Sequence, residues 1–293
     1  VTAISAKLSI FSLVLCVLSP LAYADIPTVT YGQLTCGNQI PTVFSHGHGA
    51  NKGQAWYYSV ESECPNAPLE GRVESFDYKD VRDPSTGCLG QQADVERLLE
   101  VVKKHKDCSL YGVSRGAVTI ANSECFDSLD NVGDIVEESP FAQSKDVVKK
   151  VTGFASFASA LPLVLPNHDP NGMQPIKSVN CGNKKKPRLI VASKQDRLIP
   201  VESTIAYYKG LRDAGHENAH LLVVDYGEHA NILSGKDGEK MRNVIHAFKA
   251  AYGRPHNPAW AAAGAELFKK CQPSFAVEKP KKSFFSSLSS LSS

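Results

Sequence analysis

The chain has 293 residues, 42% of them hydrophobic and 21% charged, with 21 Gly and 17 Pro. That balance supplies a sizeable apolar core and excludes a wholly disordered, collagen-like or coiled-coil chain. With 32 Lys and Arg against 30 Asp and Glu, the formal charge of +2 offers no electrostatic footprint for nucleic acid or an anionic membrane surface, so function must reside in a site.

The N-terminus reads as an export leader over 1–24. Lys7 precedes the apolar run 8–18, Pro20 ends it, and Ala22-Tyr23-Ala24 puts small residues at the −3 and −1 positions of a cleavage site. Cleavage is expected between Ala24 and Asp25, giving a secreted or periplasmic protein. The alternative, a membrane anchor, has about 11 apolar residues where a span needs about 20, so no stable membrane span is expected after leader removal. Losing the leader removes Cys16 and leaves Cys36, Cys64, Cys88, Cys108, Cys125, Cys181 and Cys271, an odd number without C-x-x-C or metal-like spacing. An oxidising compartment permits disulfides among them, with the pairing left open. Cys108, which opens an apolar run, is the one expected to stay free as a buried small hydrophobe.

Beyond the leader, short apolar runs alternate with helix-periodic stretches. A strand-like piece lies at 28–34, a buried strand at 42–45 ends in His46-Gly47-His48-Gly49, and another strand spans 72–78. A helix over 91–104 carries Val95, Leu98, Leu99, Val101 and Val102 at helical spacing. A strand at 109–113 runs directly into a helix over 115–123. Strands follow at 133–137, 187–193 and 220–226, with helices at 202–214 and 239–252. Strands alternating with helices imply right-handed crossovers and a mainly parallel sheet covered on both faces. The stretch 139–186 breaks this alternation. It holds the apolar run 154–165 and a loop rich in Pro, Asn, Gly and Lys, either a small lid or one sheet-covering helix plus a long loop. The Pro, Lys and Ser-rich end, 272–293, has the composition of a disordered tail, which leaves 25–271 as the folded domain.

Gly112-Val113-Ser114-Arg115-Gly116 sits between a predicted strand and a predicted helix. A serine on such a turn is pushed outward at the sheet's edge, and the flanking glycines let neighbouring backbone approach. The helix N-terminus beside it offers free N–H groups to developing negative charge. A serine hydroxyl is a weak nucleophile without a base and an orienting acid. Asp196 follows the strand at 187–193 and His229 the strand at 220–226, at the strand ends where sites assemble, and the order Ser, Asp, His is the one this architecture uses. Glu138, after the strand at 133–137, is the reserve acid. The His46–Gly49 loop supplies the fourth element, with the N–H groups of His48 and Arg115 as the expected oxyanion donors. His46 is expected to bond within its loop, and Arg115's side chain to bind a substrate carboxylate or pair with a nearby acid. His105, His168, His216, His220, His246 and His256 read as surface or packing residues. A rival reading makes His46 and His48 an H-x-H zinc pair, which needs further ligands on later strands.

Together these segments resemble the α/β-hydrolase superfamily, in its serine esterase, lipase and S9-type peptidase branches, over roughly residues 41–252. The resemblance implies an α/β fold with a mostly parallel sheet of about seven to eight strands and helices on both faces, trimmed at its first hairpin. It also implies an acyl-enzyme mechanism without a cofactor or metal, with Ser114, Asp196 and His229 catalytic and His48 and Arg115 forming the oxyanion hole. The expected substrate is a small-molecule or lipid-like acyl compound, and Trp56, Tyr57, Tyr58 and the run 154–165 either line its pocket or belong to the core. A carboxylic ester hydrolase is the leading expectation; a peptidase or amidase of the same fold and a non-catalytic binding protein are the alternatives.

Overall fold

The computed structural model describes residues 28–34, 39–78, 92–152 and 174–271. The leader and its cleavage point, Cys36, Cys88, the apolar run 154–165, His168 and the Ser-rich tail lie outside the described residues. In chain order the elements are β1 (Thr28–Tyr31), β2 (Thr42–Ser45), α1 (Gln54–Tyr58), β3 (Val73–Phe76), α2 (Gln92–Val102), β4 (Cys108–Val113), α3 (Arg115–Ser123), β5 (Val132–Glu138), α4 (Ser144–Thr152), α5 (Pro175–Ser178), β6 (Arg188–Ser193), α6 (Val201–Asp213), β7 (Ala219–Val224), a 3-10 turn (Ile232–Ser234), α7 (Gly238–Ala251) and α8 (Pro258–Cys271). The strands form one seven-stranded sheet in the order β1-β3-β2-β4-β5-β6-β7, with β1 antiparallel to β3 and every other pairing parallel.

Successive residues of a strand point to opposite faces, and here both faces are covered. Val43, Leu110 and Ile135 pack with Leu98 and Val102 of α2 and Ile120 of α3. Their neighbours Phe44, Tyr111 and Val136 face the other way, against Val244 and Phe248 of α7 and Phe268 of α8. This is why the central strands read as continuous apolar runs without polar alternation.

Two strands end sooner than their apolar pattern suggests, because side chains capture the backbone or its neighbours. β3 stops at Phe76, and the following Asp77 accepts the Lys52 N–H at 2.8 Å and the Lys52 ammonium at 2.6 Å, while the Tyr78 hydroxyl donates to the His46 carbonyl at 3.1 Å. β7 stops at Val224 because the Asp237 carboxylate accepts the N–H groups of Asp225, at 2.7 Å, and Tyr226, at 3.1 Å.

The helix α8 was not among the predicted elements. Its signals are present: the Asn257 side-chain oxygen accepts the N–H groups of Ala259 at 3.1 Å and Trp260 at 3.2 Å, and Pro258 occupies the first turn. Gly264 lets α8 press on α7, since a Cβ there would stand 2.1 Å from the Asn243 carbonyl oxygen. Within 139–186 the described residues form α4 and α5. A disulfide between Cys125 and Cys181 ties the turn after α3 to the turn after α5. Cys108 is free and buried as expected, and Cys64 and Cys271 are free as well. Among the described residues no helix is long and apolar enough to cross a membrane.

Candidate active site

The carboxyl ends of β2, β4, β6 and β7 lie along one edge of the sheet, and the loops leaving them carry the candidate residues. Ser114 occupies the single step between β4 and α3 at φ 54 and ψ −112, a left-handed backbone that side-chain-bearing residues rarely adopt. The turn is held from outside: the Ser114 N–H donates to the Glu138 carbonyl at 2.8 Å, and the Ser114 carbonyl accepts the Val118 N–H at 3.1 Å. Both flanking glycines are required by space. A Cβ on Gly112 would lie 2.7 Å from the Ala117 nitrogen, and one on Gly116 would lie 1.9 Å from the Ser45 carbonyl oxygen. Gly116 therefore brings α3 directly against the end of β2, where the His46–Gly49 loop begins.

In that loop His46 is fully buried and its Nδ1–H donates to the Gly47 carbonyl at 2.8 Å. Burial, with the nearby Arg115 charge adding to it, pulls its imidazole down to about 4, so it is neutral around physiological pH. Gln54 in α1 accepts the Gly47 N–H at 2.8 Å, which braces the loop one residue before His48. The His48 N–H donates to no acceptor among the described residues. The first N–H groups of α3, that of Arg115 included, have no acceptor within the helix.

Asp196 and His229 meet. His229 Nδ1 and Asp196 Oδ2 are 2.7 Å apart, and the other carboxylate oxygen accepts the N–H groups of Leu198 and Ile199 at 2.8 Å each. Burial would raise the Asp196 carboxyl, but the His229 hydrogen bond and charge, joined by those two N–H donors, outweigh it and hold the group below the usual carboxylate range. Lys194 and Arg197, its charged neighbours in sequence, pair instead with Asp225 and Glu228. The His229 loop is shaped by Gly227 at φ 125 and Ala230 at φ 54. It is pinned to the Asp196 side by the Ser193 hydroxyl, which donates to the Gly227 carbonyl at 2.5 Å, and to α1 by the Tyr57 hydroxyl, which donates to Asn231 at 3.0 Å. Such a pair fixes the imidazole tautomer and leaves Nε2 as the nitrogen for proton transfer. Among the described residues the Ser114 hydroxyl makes no hydrogen bond to His229. Nucleophile–base bonds of this kind often tighten only with substrate bound.

Glu138 lies fully buried at the end of β5, accepts a hydrogen bond from the Tyr111 hydroxyl at 3.0 Å and makes none with His229. The Arg115 guanidinium is buried and binds Asp94 of α2 in a two-point pair at 2.8 and 2.7 Å, with the Tyr78 ring 4.4 Å beneath it. Of the two roles expected for this side chain, the structure has it paired with an acid. Trp56 and Tyr226 are exposed, whereas Tyr58 is fully buried core. His216, His220 and His246 are buried packing residues. Among the described residues no three His, Cys, Asp or Glu side chains converge as a metal site. Gln54 and Asp94 brace the site and carried no sequence signal, because each acts through a contact formed only on folding, and Tyr57, read from the sequence as pocket lining or core, braces the His229 loop.

No protein-family model matches the chain and no curated protein matches it in sequence. Solved structures do match in shape. A Paleococcus ferrophilus monoacylglycerol lipase aligns at TM-score 0.56 and 14% identity over 78% of this chain and 99% of its own. The Pyrococcus furiosus esterase Pf2001 aligns at TM-score 0.54 and 15% identity, over 77% of this chain and 91% of its own. An α/β hydrolase from a Medee basin deep-sea metagenome, MGS-M2, aligns at TM-score 0.53 and 15% identity, over 79% and 95%. At such identities the likeness is one of fold: the chain has the α/β-hydrolase architecture.

Proposed function

We propose that the chain is a serine hydrolase that cleaves carboxylic esters through an acyl-enzyme intermediate. Ser114 attacks the carbonyl carbon while His229 takes its proton; the alcohol then leaves with that proton. Water attacks the acyl-enzyme in the second half, its proton passing to His229 and from there to the Ser114 oxygen as the acid departs. Asp196 orients the imidazole and stabilises it when charged. The N–H groups of His48 and Arg115 receive the oxyanion, and loss of one such donor typically costs about 3–4 kcal/mol of transition-state stabilisation. These steps call on no cofactor.

The single observation that carries this reading is the 2.7 Å bond between Asp196 and His229 on the same sheet edge as the strained Ser114 turn. Ester rather than amide substrates are favoured by the names of the structural neighbours, an esterase and a lipase. The near-neutral charge and the exposed aromatics Trp56 of α1 and Tyr226 after β7 suit a small-molecule or lipid-like acyl group. In this proposal residues 25–271 form the catalytic unit, exported under the direction of residues 1–24, with 272–293 as a tail.

The test is labelling with a fluorophosphonate, followed by mapping of the modified residue and rates on p-nitrophenyl esters of increasing chain length and on aminoacyl amides. Adduct at Ser114, abolished in Ser114→Ala, with ester turnover is the expected result. Failure to label would mark a binding protein, and turnover of the amides alone would mark a peptidase.

A further inference from the structure

Gly47, in the middle of the proposed oxyanion loop, has the peptide groups on both of its sides tied down. Its N–H donates to Gln54 Oε1 at 2.8 Å, and its carbonyl accepts the His46 Nδ1–H at 2.8 Å and the Ala50 N–H at 3.3 Å. In a planar trans peptide the C=O and the next N–H point opposite ways, so a Gly47 carbonyl turned toward His46 and Ala50 turns the His48 N–H away from both. Gln54 opens α1, a helix of five residues that is anchored in the core. Its Ala55 and Tyr58 are fully buried, and at its end the Tyr58 carbonyl accepts the Leu69 N–H at 3.0 Å while the Val60 N–H donates to the Leu69 carbonyl at 3.1 Å. Tyr57 stands one turn on from Gln54, on the same side of the helix. Its hydroxyl donates to Asn231 Oδ1 at 3.0 Å and meets the Ser234 hydroxyl, just past His229.

We propose that α1 is the common register of the proposed site: Gln54 is the positioning residue for the oxyanion donor on His48, and Tyr57 is the positioning residue for the base His229. Neither touches substrate. The two loops that must meet one carbonyl group lie far apart in sequence, and the chain between them fixes no distance at that edge. One helical turn held by Ala55 and Tyr58 does, because both loops are tied to it by side chains that share a face. Without the Gln54 oxygen the Gly47 N–H loses its acceptor, and the His48 N–H is held in place from one side only. Without the Tyr57 hydroxyl the Asn231 and Ser234 side chains lose their hold, and the loop carrying the imidazole is left to its ties with Ser193 and Asp196. Since the core keeps α1 in place when either tie is cut, the two losses are independent and their effects on rate multiply.

The consequence for rate rests on the serine-hydrolase reading. Gln54→Met keeps the length of the side chain and removes the acceptor; Tyr57→Phe keeps the ring and removes the hydroxyl. Kinetics on a p-nitrophenyl ester, with inhibition by a trifluoromethyl ketone that forms a tetrahedral oxyanion adduct on Ser114, are measured for the wild type, both single variants and the double. Each single variant is expected to lose about 10-fold in kcat with little change in KM, less than the about 100-fold or more of an outright lost donor. Gln54→Met is expected to lose the same factor in affinity for the ketone, which a merely structural brace would leave unmoved, and the double variant about 100-fold in kcat. Unchanged kcat and ketone affinity in Gln54→Met, unchanged kcat in Tyr57→Phe, or a double variant no slower than the slower single would overturn the register. Gln54→Leu replaces Gln54→Met, and Asn231→Ala replaces Tyr57→Phe, where either does not fold. Fluorophosphonate labelling and amide hydrogen exchange on the same proteins separate the two ideas. Labelling at Ser114 with variants as fast as the wild type removes only the register. No labelling, with exchange speeded at Gly47 in Gln54→Met and at Asn231 in Tyr57→Phe, removes only the hydrolase reading.

Discussion

Gly116 lies against Ser45 so closely that a Cβ on the glycine would stand 1.9 Å from the serine's carbonyl oxygen. This contact sets the distance between the two loops proposed to supply oxyanion donors. Gly116→Ala must push α3 away from β2. We expect a fall in the Ser114 labelling rate of about 100-fold, the scale on which a displacement of about 1 Å acts. Fluorophosphonate kinetics at fixed pH would check this, and an unchanged rate would show that the contact does not register the site.

Asp196→Asn preserves the shape of the acid and removes its charge. The amide can donate to Nδ1 and so favours the tautomer unable to accept the serine proton at Nε2. Ester turnover is expected to fall by about 10⁴-fold with little change in KM. Because the Asp196 carboxyl is held below its ordinary value, the wild-type pair also contributes stability that is present above that value and is lost as pH falls through the lowered one. Urea denaturation at neutral and acid pH should therefore show a smaller acid loss in Asp196→Asn than in the wild type.

His246 donates from Nε2 to the Pro68 carbonyl at 2.9 Å and accepts the Asn257 N–H at Nδ1 at 2.8 Å. Protonation would destroy the second bond, and burial, with the Lys249 charge adding to it, lowers the group to about 3. The unfolded chain binds this proton first, from about pH 6.5 downward, so stability declines with falling pH until the folded value is reached. Across that window the contribution is about 1.4 kcal/mol per pH unit. A flatter stability profile between pH 6 and 4 in His246→Gln is the expected outcome; an identical slope would remove His246 from the acid response.

The Cys125–Cys181 disulfide closes a sequence separation of 56 residues. Chain-entropy reasoning puts its stabilisation at about 4 kcal/mol. Chemical denaturation of the double variant Cys125→Ala, Cys181→Ala should show a loss of that order, with α5 the first element to gain hydrogen exchange. A loss well under 1 kcal/mol would mean that the packing of α5 under α6 holds the segment without the bond.

Much of the architecture was legible because its physics is local. The run at 42–45 and the helix at 115–123 could be placed from apolar pattern alone, and the strand-to-helix junction at Ser114 followed from the glycines on either side. Elements whose ends depend on distant side chains were less legible: β3 and β7 stop where Lys52, Ser45 and Asp237 meet the residues after them. The helix α8 was overlooked although Asn257-Pro258 announces it, since its alanine-rich face shows little apolar periodicity until it is packed on α7.

By itself, the sequence determined the alternation of strand and helix, and hence the edge along which Ser114, Asp196 and His229 must emerge, because those follow from backbone periodicity and chain direction. Only the tertiary structure decided that Asp196 reaches His229 while Glu138 accepts from Tyr111, that the Arg115 guanidinium belongs to Asp94, and that Cys125 pairs with Cys181. Such partnerships join residues tens of positions apart: a buried charge such as Arg115 or Glu138 takes whichever partner the packed elements bring within reach, and the Cys125–Cys181 bond forms where the turns after α3 and α5 meet.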